Sequence, residues 1–384
     1  MPGPIYLDHA ATTPVRQEVL DAMLPFFGPR FGNPSSVHRW GREARVALDE
    51  ARERVARCLG ARADEVTFCS CGTEADNLAL LGAWRAGRET GRRAVVSTPI
   101  EHKAILAAVH QAAREGAEER LLAVDAAGTV TRQSFDDCVT TDVAVCSVMW
   151  VNNEIGTVQP IPELAAAAAS HGVVFHTDAV QAFGKVPIDA ATQKFDLLSI
   201  SGHKIGAPKG IAALYIRRGT RLDPLLHGGS QERSRRPGTE NVAFAVGLAR
   251  AAELTIAEHE TESARLTALR DRLEARLLAA IPDAVVHGRG ARRAPHILNI
   301  AVPGTDSESL LMALDLAGIA ASAGSACQSG SVTPSHVLAA IGAAPDVATS
   351  AIRLSLGSLT TDECVDRVAV VFPALIEKAR RMAA

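Results

Sequence analysis

VVFHTDAVQAFGKVPIDAATQKFDLLSISGHKIGAPKG, residues 173–210, carries the pattern on which the fold turns. Residues 173–177 and 197–199 are short apolar runs without polar alternation, the texture of strands buried on both faces of a parallel sheet. Each run ends in polar residues: Asp178 after the first, and Ser201, Gly202, His203 and Lys204 after the second. Open α/β sheets gather their ligands at the carboxyl ends of strands, so these side chains are candidates for a site.

Outward from this stretch, similar runs at residues 65–70, 94–97, 143–150 and 212–216 alternate with helical segments, which predicts a doubly wound, mostly parallel α/β layer. Residues 42–59 place Ala44, Leu48, Ala51, Val55 and Leu59 on one helical stripe that Gly60 terminates. The texture changes near residue 250. A long amphipathic helix over 257–280, with Leu266, Leu269, Leu273 and Leu277, stops at Pro282. A strand at 296–302, a helix at 307–317, a small-residue segment at 320–331 and a last helix from about 362, with Pro373 inside it, follow. Thr333-Pro334 reads as the N-cap and first-turn proline of a helix. The expected division is a large α/β domain over 15–255 and a smaller α+β domain from 1–14 and 256–384.

A chain of 384 residues and 40.4 kDa is more than one core usually organises, in keeping with two domains. Apolar residues are 47% and charged residues 22%, close to globular averages, which argues against disorder. Forty Lys and Arg against 43 Asp and Glu leave no basic field for nucleic acid or anionic lipid. Apolar runs such as the five alanines Ala165–Ala169 fall far short of the roughly 20 residues that span a bilayer. Residues 1–14 lack the basic and apolar regions of a secretory signal, so the cytoplasm is the expected location and a membrane is not a partner. Seven cysteines, an odd number, fit reduced thiols, six of them in apolar contexts.

Several constellations carry chemistry. FCSCGTEADN, residues 68–77, ends a strand and opens a helix whose free amides, with Gly72 and Thr73, suit an anion such as phosphate; an ordinary turn with Thr73 as cap reads equally well. Asp178, helix cap or site residue, needs a cationic partner, and Lys204 at a strand end is either a surface lysine or a desolvated nucleophile. Together, an anion cradle, an aspartate for a pyridinium nitrogen and a lysine for a Schiff base are what pyridoxal phosphate requires, with His102 available to stack on its ring. Cys327 lies in a run of Ala, Ser and Gly (ASAGSACQSG, 321–330) suited to an exposed, reactive thiol on a mobile loop over about 321–333. Arg353 is a candidate carboxylate clamp. The polar, glycine-rich stretch 227–241 is a further functional candidate.

The chain resembles the cysteine desulfurases of the NifS/IscS type, pyridoxal-phosphate enzymes of the class V aminotransferase group. The markers stand in order: YLDHAATT (6–13), FGNPSSVH (31–38), GTEADN (72–77), EHKAIL (101–106), NNEIGTVQP (152–160), HTDAVQAFGK (176–185), SGHKIGAPKG (201–210), GTEN (238–241), SAGSACQSG (322–330) and IRLSLG (352–357). The resemblance implies the type I fold of pyridoxal 5'-phosphate transferases. It also implies that Lys204 carries the cofactor, Asp178 pairs with the ring nitrogen and His102 stacks on the ring and manages thiol protons. Gln181 and Asn153 would contact the ring oxygen and the substrate side. Gly72, Thr73, Ser201 and His203 would hold the phosphate, with Thr239 reaching in from the second subunit of a homodimer. Arg353 would bind the carboxylate of L-cysteine, and Cys327 would take its sulfur as a persulfide, leaving L-alanine. The sulfur would pass to an acceptor protein, an iron-sulfur scaffold or a thiolation factor. No metal is expected. Cys71 stands where the family usually has glycine and is read as structural. The alternatives are a selenocysteine lyase or related class V enzyme, and a sulfur-relay protein without the cofactor chemistry.

Overall fold

The computed structural model describes residues 3–323 and 335–383. A seven-stranded sheet forms its larger part, in the order Val66–Cys69, Ala212–Ile216, Leu197–Ser201, Val174–Asp178, Val143–Ser147, Ala94–Ser97, Glu118–Leu121. All neighbours are parallel except Ala212–Ile216, which runs antiparallel to both of its partners. The central strands are continuous apolar runs because helices cover both faces of the sheet: five residues of Val143–Ser147 and five of Leu197–Ser201 are all buried.

One apolar core lies on each face. The helix Arg39–Cys58 presents Ala44, Leu48, Ala51 and Val55 to one of them, together with Phe175, Phe183 and Phe195. His38 caps its start, Nδ1 accepting the Gly41 amide at 3.2 Å, and Gly60 follows its end with φ +65, the left-handed conformation that stops a helix. The opposite core packs Trp84, Leu80 and Leu78 of the helix Gly72–Arg88 against Ile105 and Val109. Burying a side chain of this size stabilises the fold by about 1.5–3 kcal/mol.

A second sheet of four antiparallel strands, Ser322–Ala323, Ala351–Ser355, Ile297–Ala301 and Val285–Val286, has its own apolar core with Leu266, Leu269, Leu273 and Leu277 and the last helix, Asp362–Ala383. The expected helix over 257–280 is His259–Ala280, and a separate helix, Val242–Ala257, precedes it. The N-terminal strand Ile5–Tyr6 pairs in parallel with Ile319–Ala320, tying the start of the chain to this second core.

The polar stretch around 230 makes a turn in which Glu232, Arg233 and Ser234 have φ of 47, 58 and 62. A left-handed non-glycine residue costs roughly 1–2 kcal/mol. An anchor offsets it: the buried Glu232 carboxylate accepts Arg52 Nη1 at 2.5 Å, Arg52 Nη2 at 2.7 Å and the Phe68 amide at 3.0 Å. Arg52 also lies over the Phe68 ring, 4.8 Å from its centroid. Among the described residues, no helix is long and apolar enough to cross a membrane.

Candidate active site

The parallel strands Ala94–Ser97, Val143–Ser147, Val174–Asp178 and Leu197–Ser201 end at one edge of the large sheet, and the segments leaving them supply the walls of a cavity of about 410 Å³. Glu101 and His102 come from the first, Met149, Asn153 and Glu154 from the second, Asp178 and Gln181 from the third, Ser201, His203 and Lys204 from the fourth. Ala10 and Ala11 close it from the N-terminal segment, and Ser322, His336 and Arg353 from the second sheet and its neighbouring helix.

Lys204 lies in a short 3₁₀ turn directly after its strand, and its Nζ donates to the carbonyls of Ala10 and Ala11, both at 2.6 Å. Burial, with Arg353 nearby, lowers its pKa to about 8, so about half of this amine is neutral and nucleophilic near pH 8. Asp178 closes the central strand; one carboxylate oxygen accepts the Val180 amide at 2.8 Å. Burial raises its pKa, while His102 and Lys204 pull the other way.

Gly72 and Thr73 open the helix Gly72–Arg88, whose N-terminal amides face the cavity. The N-cap is Cys71, Sγ accepting the Glu74 amide at 3.4 Å, so the turn reading with Thr73 as cap is corrected: Thr73 belongs to the first helical turn. Cys71 is exposed and borders the cavity, which also corrects its grouping with the cysteines of apolar context; Cys69 and Cys146 are the buried ones. A Cβ on Gly72 would meet Val180 Cγ2 at 3.3 Å and Ser201 Cβ at 3.5 Å, so glycine is what keeps this corner open.

His102 is the N-cap of Lys103–Arg114, Nδ1 accepting the Ala104 amide at 3.2 Å, and burial lowers its pKa. His203 Nδ1 meets Thr12 Oγ1 at 3.2 Å, and burial and then Lys204 bring its pKa down to about 4. Gln181 donates Nε2 to the Ala10 carbonyl at 2.8 Å and accepts His296 Nε2 at 3.1 Å, which holds its amide across the cavity floor. Arg353 donates Nη2 to Asp8 at 2.9 Å and Nη1 to the Asn153 carbonyl at 2.9 Å, leaving its buried Nε without a partner among the described residues.

Thr239 is elsewhere: it lines a separate cavity of about 240 Å³ with Glu232, Arg236 and Asn241. Cys327 and most of the expected loop over 321–333, including Thr333-Pro334, lie outside the described residues. The following helix, His336–Ala340, is capped by Ser335, whose Oγ accepts the amides of Val337 and Leu338.

Four wall residues were not singled out by sequence. Glu101 is fully buried, Oε1 accepting the Met149 amide at 2.8 Å and the Thr98 hydroxyl at 2.9 Å, and burial pushes its pKa up to about 8. Asp76 is 1% exposed, and burial first and then Asp178 raise its pKa well above the usual carboxylate value. Glu154, its pKa raised by burial, accepts the Ser335 hydroxyl at 2.5 Å. His336 places Nε2 2.9 Å from the Glu101 carbonyl. Of these, Asp76, Glu101 and Glu154 had a signal, their places in the GTEADN, EHKAIL and NNEIGTVQP motifs, while His336 had none.

The family model described as Aminotransferase class-V matches residues 5–368. The sequence is 48% identical over 379 residues to a protein named cysteine desulfurase NifS from Azotobacter vinelandii, covering 98% of this chain and 94% of that one. Among solved structures it is similar to one titled NIFS-like protein, at 33% identity and TM-score 0.91, over 98% of this chain and 100% of the other. It is also similar to SspA in complex with cysteine, at 33% identity and TM-score 0.81, over 92% and 98%.

Proposed function

The chain belongs to the aminotransferase class-V family and is a cysteine desulfurase, and from that premise we propose that its cavity binds pyridoxal 5'-phosphate and L-cysteine. One observation carries the reading: a depressed-pKa amine, a buried carboxyl and a glycine-bounded helix N-terminus face the same 410 Å³ space, one group each for the aldehyde, ring nitrogen and phosphate of that cofactor. Lys204 is the attachment residue, Asp178 the ring-nitrogen partner and His102 the ring-stacking residue. Thr73, Ser201 and His203, with the Gly72 amide, hold the phosphate, and Gln181 and Asn153 serve the ring oxygen and the substrate side. When bound, the cofactor supplies an electron sink that weakens the carbon-sulfur bond of the substrate.

The protein's part is binding, orientation and proton handling. Arg353, with its unpartnered Nε, receives the substrate carboxylate. Lys204, neutral above about pH 8, accepts and returns the α-carbon proton. The carbon-sulfur bond of L-cysteine breaks, the sulfur joins that of Cys327 as a persulfide, and the protonated carbon skeleton leaves as L-alanine. An acceptor protein, an iron-sulfur scaffold or a thiolation factor, then takes the sulfur in the cytoplasm. That SspA was solved with cysteine supports the choice of substrate.

A homodimer and the two-domain division belong to the same proposal. Phe27, Phe31, Val37 and Trp40 are exposed large apolar side chains on neighbouring segments of the chain, suited to a second copy, and Thr239 would serve that copy's phosphate. Two sheets with separate apolar cores support domains of 15–255 and of 1–14 with 256–384. The test is mass spectrometry after exposure to L-cysteine: one added sulfur atom on the peptide bearing Cys327 is expected, and sulfur elsewhere or nowhere overturns the assignment.

A further inference from the structure

The two histidines of the cavity differ in which ring nitrogen is already committed. His102 Nδ1 accepts the Ala104 amide, so the neutral ring carries its proton on Nε2 and offers the cavity a donor. A second proton has to enter at Nδ1, where it would break the cap of the helix Lys103–Arg114. His336 is wired the other way. Its Nε2 stands 2.9 Å from the carbonyl oxygen of Glu101, and a carbonyl only accepts, so Nε2 donates and the lone pair is on Nδ1. No described residue donates to that nitrogen.

His336 is also held in place from two sides. It is the first residue of the helix His336–Ala340, whose capping residue Ser335 donates its hydroxyl to buried Glu154, while its own ring is tied to Glu101. The ring borders the cavity with Arg353 and Asn153, the residues assigned to the substrate side. The ionisable groups lining the cavity beside it are His102, which caps the helix Lys103–Arg114, with Lys103, Glu101, Glu154 and Arg353.

We propose that His336, and not His102, accepts the thiol proton on the substrate side of this cavity. The S–H bond breaks with its electron pair left on sulfur, and the proton forms a bond to His336 Nδ1 while the Nε2–H stays on the Glu101 carbonyl. His102 is thereby left as a fixed donor. This rests on the desulfurase reading of the cavity and adds to it a second wall residue that acts on the thiol.

The test uses His336→Gln in the cofactor-loaded enzyme, because the glutamine amide can still donate to the Glu101 carbonyl but has no basic nitrogen. The expected result is a fall of roughly 10²–10⁴ in kcat/KM for L-cysteine, the range for loss of a general base, with loss of the acidic limb of the pH profile. Exchange of the α-hydrogen of L-alanine with deuterated solvent, which involves no thiol, is expected to fall at least tenfold less. Equal falls in both reactions, or a retained acidic limb, overturn the proposal. A readout independent of turnover is the ¹⁵N spectrum of histidine-labelled protein: the resonance pair lost in H336Q is expected to gain its second proton at Nδ1 as pH falls, and an Nδ1–H neutral tautomer overturns the assignment. If the unsubstituted protein releases no alanine from L-cysteine, it is the underlying function that fails, while the spectrum still decides the tautomer.

Discussion

Arg353 on the strand Ala351–Ser355 and Asp8 near the start of the chain form an ion pair, Nη2 to Oδ1 at 2.9 Å, across 345 residues of sequence. The pair fixes one end of the guanidinium beside the cavity, while its buried Nε has no partner among the described residues.

Arg353→Ala is therefore expected to act on substrate binding. Hydrogen bonds to a charged group are worth about 1.5–3 kcal/mol, so KM for L-cysteine rises about 10- to 150-fold with a smaller change in kcat. Steady-state kinetics check this, and an unchanged KM rejects the carboxylate assignment.

Lys204 loses its proton as pH rises through about 8, well below the ordinary lysine value of 10.5. In cofactor-free protein, an amine-selective reagent at limiting concentration is expected to label this residue with a midpoint near pH 8, since only the neutral amine attacks. Peptide mapping identifies the site. In the loaded enzyme, Lys204→Ala removes both the visible absorption band of the bound cofactor and alanine formation. A labelling midpoint above pH 10 contradicts the buried setting described for this side chain.

Glu101 keeps its proton in the folded protein up to about pH 8, whereas the unfolded chain releases it near 4.5. Between these values the folded state binds the extra proton, so its contribution to stability is complete below about 4.5 and is lost as pH rises through 8. Glu101→Gln removes this dependence and is expected to be more stable than the parent at pH 9 by on the order of 3 kcal/mol, read from denaturant unfolding at pH 5 and 9. A pH-independent difference between the two proteins rejects the neutral-acid assignment.

The buried pair Arg52–Glu232 holds the left-handed turn at 232–234. Glu232→Ala strands a buried guanidinium and is expected to destabilise by about 3–5 kcal/mol. The exposed pair Arg39–Glu43 provides the contrast: Glu43→Gln changes stability by less than about 1 kcal/mol. Chemical denaturation of both variants decides, and similar values for the two reject the anchoring role.

The central strands were legible in the sequence because burial on both faces removes polar alternation, as in residues 197–201, all buried. The outer strand Glu118–Leu121 was not, since its EERL text is half-exposed and charged, as suits an edge that must resist pairing with another chain. The helix His259–Ala280 was legible to within two residues at its start, from the spacing of Leu266, Leu269, Leu273 and Leu277. At the site, Asp178, His102 and Lys204 were legible because each stands at or within five residues of the end of a strand of the same sheet, and topology brings strand ends together. Glu154 and His336 acquire their significance from partners far along the chain, and local text carries no trace of that. The cap at Cys71 was missed because sulfur is a weak acceptor and stands outside the usual set of capping residues.

The first thirteen residues stitch the molecule together: Ile5–Tyr6 join the smaller sheet's neighbourhood, Ala10 and Ala11 hold the Lys204 amine, and Thr13 bonds to the His203 carbonyl. Proteolytic removal of residues 1–13 would leave the two cores of the large sheet intact while taking Ile5 and Leu7 out of the smaller core and the carbonyl acceptors away from the Lys204 amine. Such a cut is expected to weaken the smaller core and the Lys204 site together, so this leading tether couples the packing of one part of the molecule to the amine of the other.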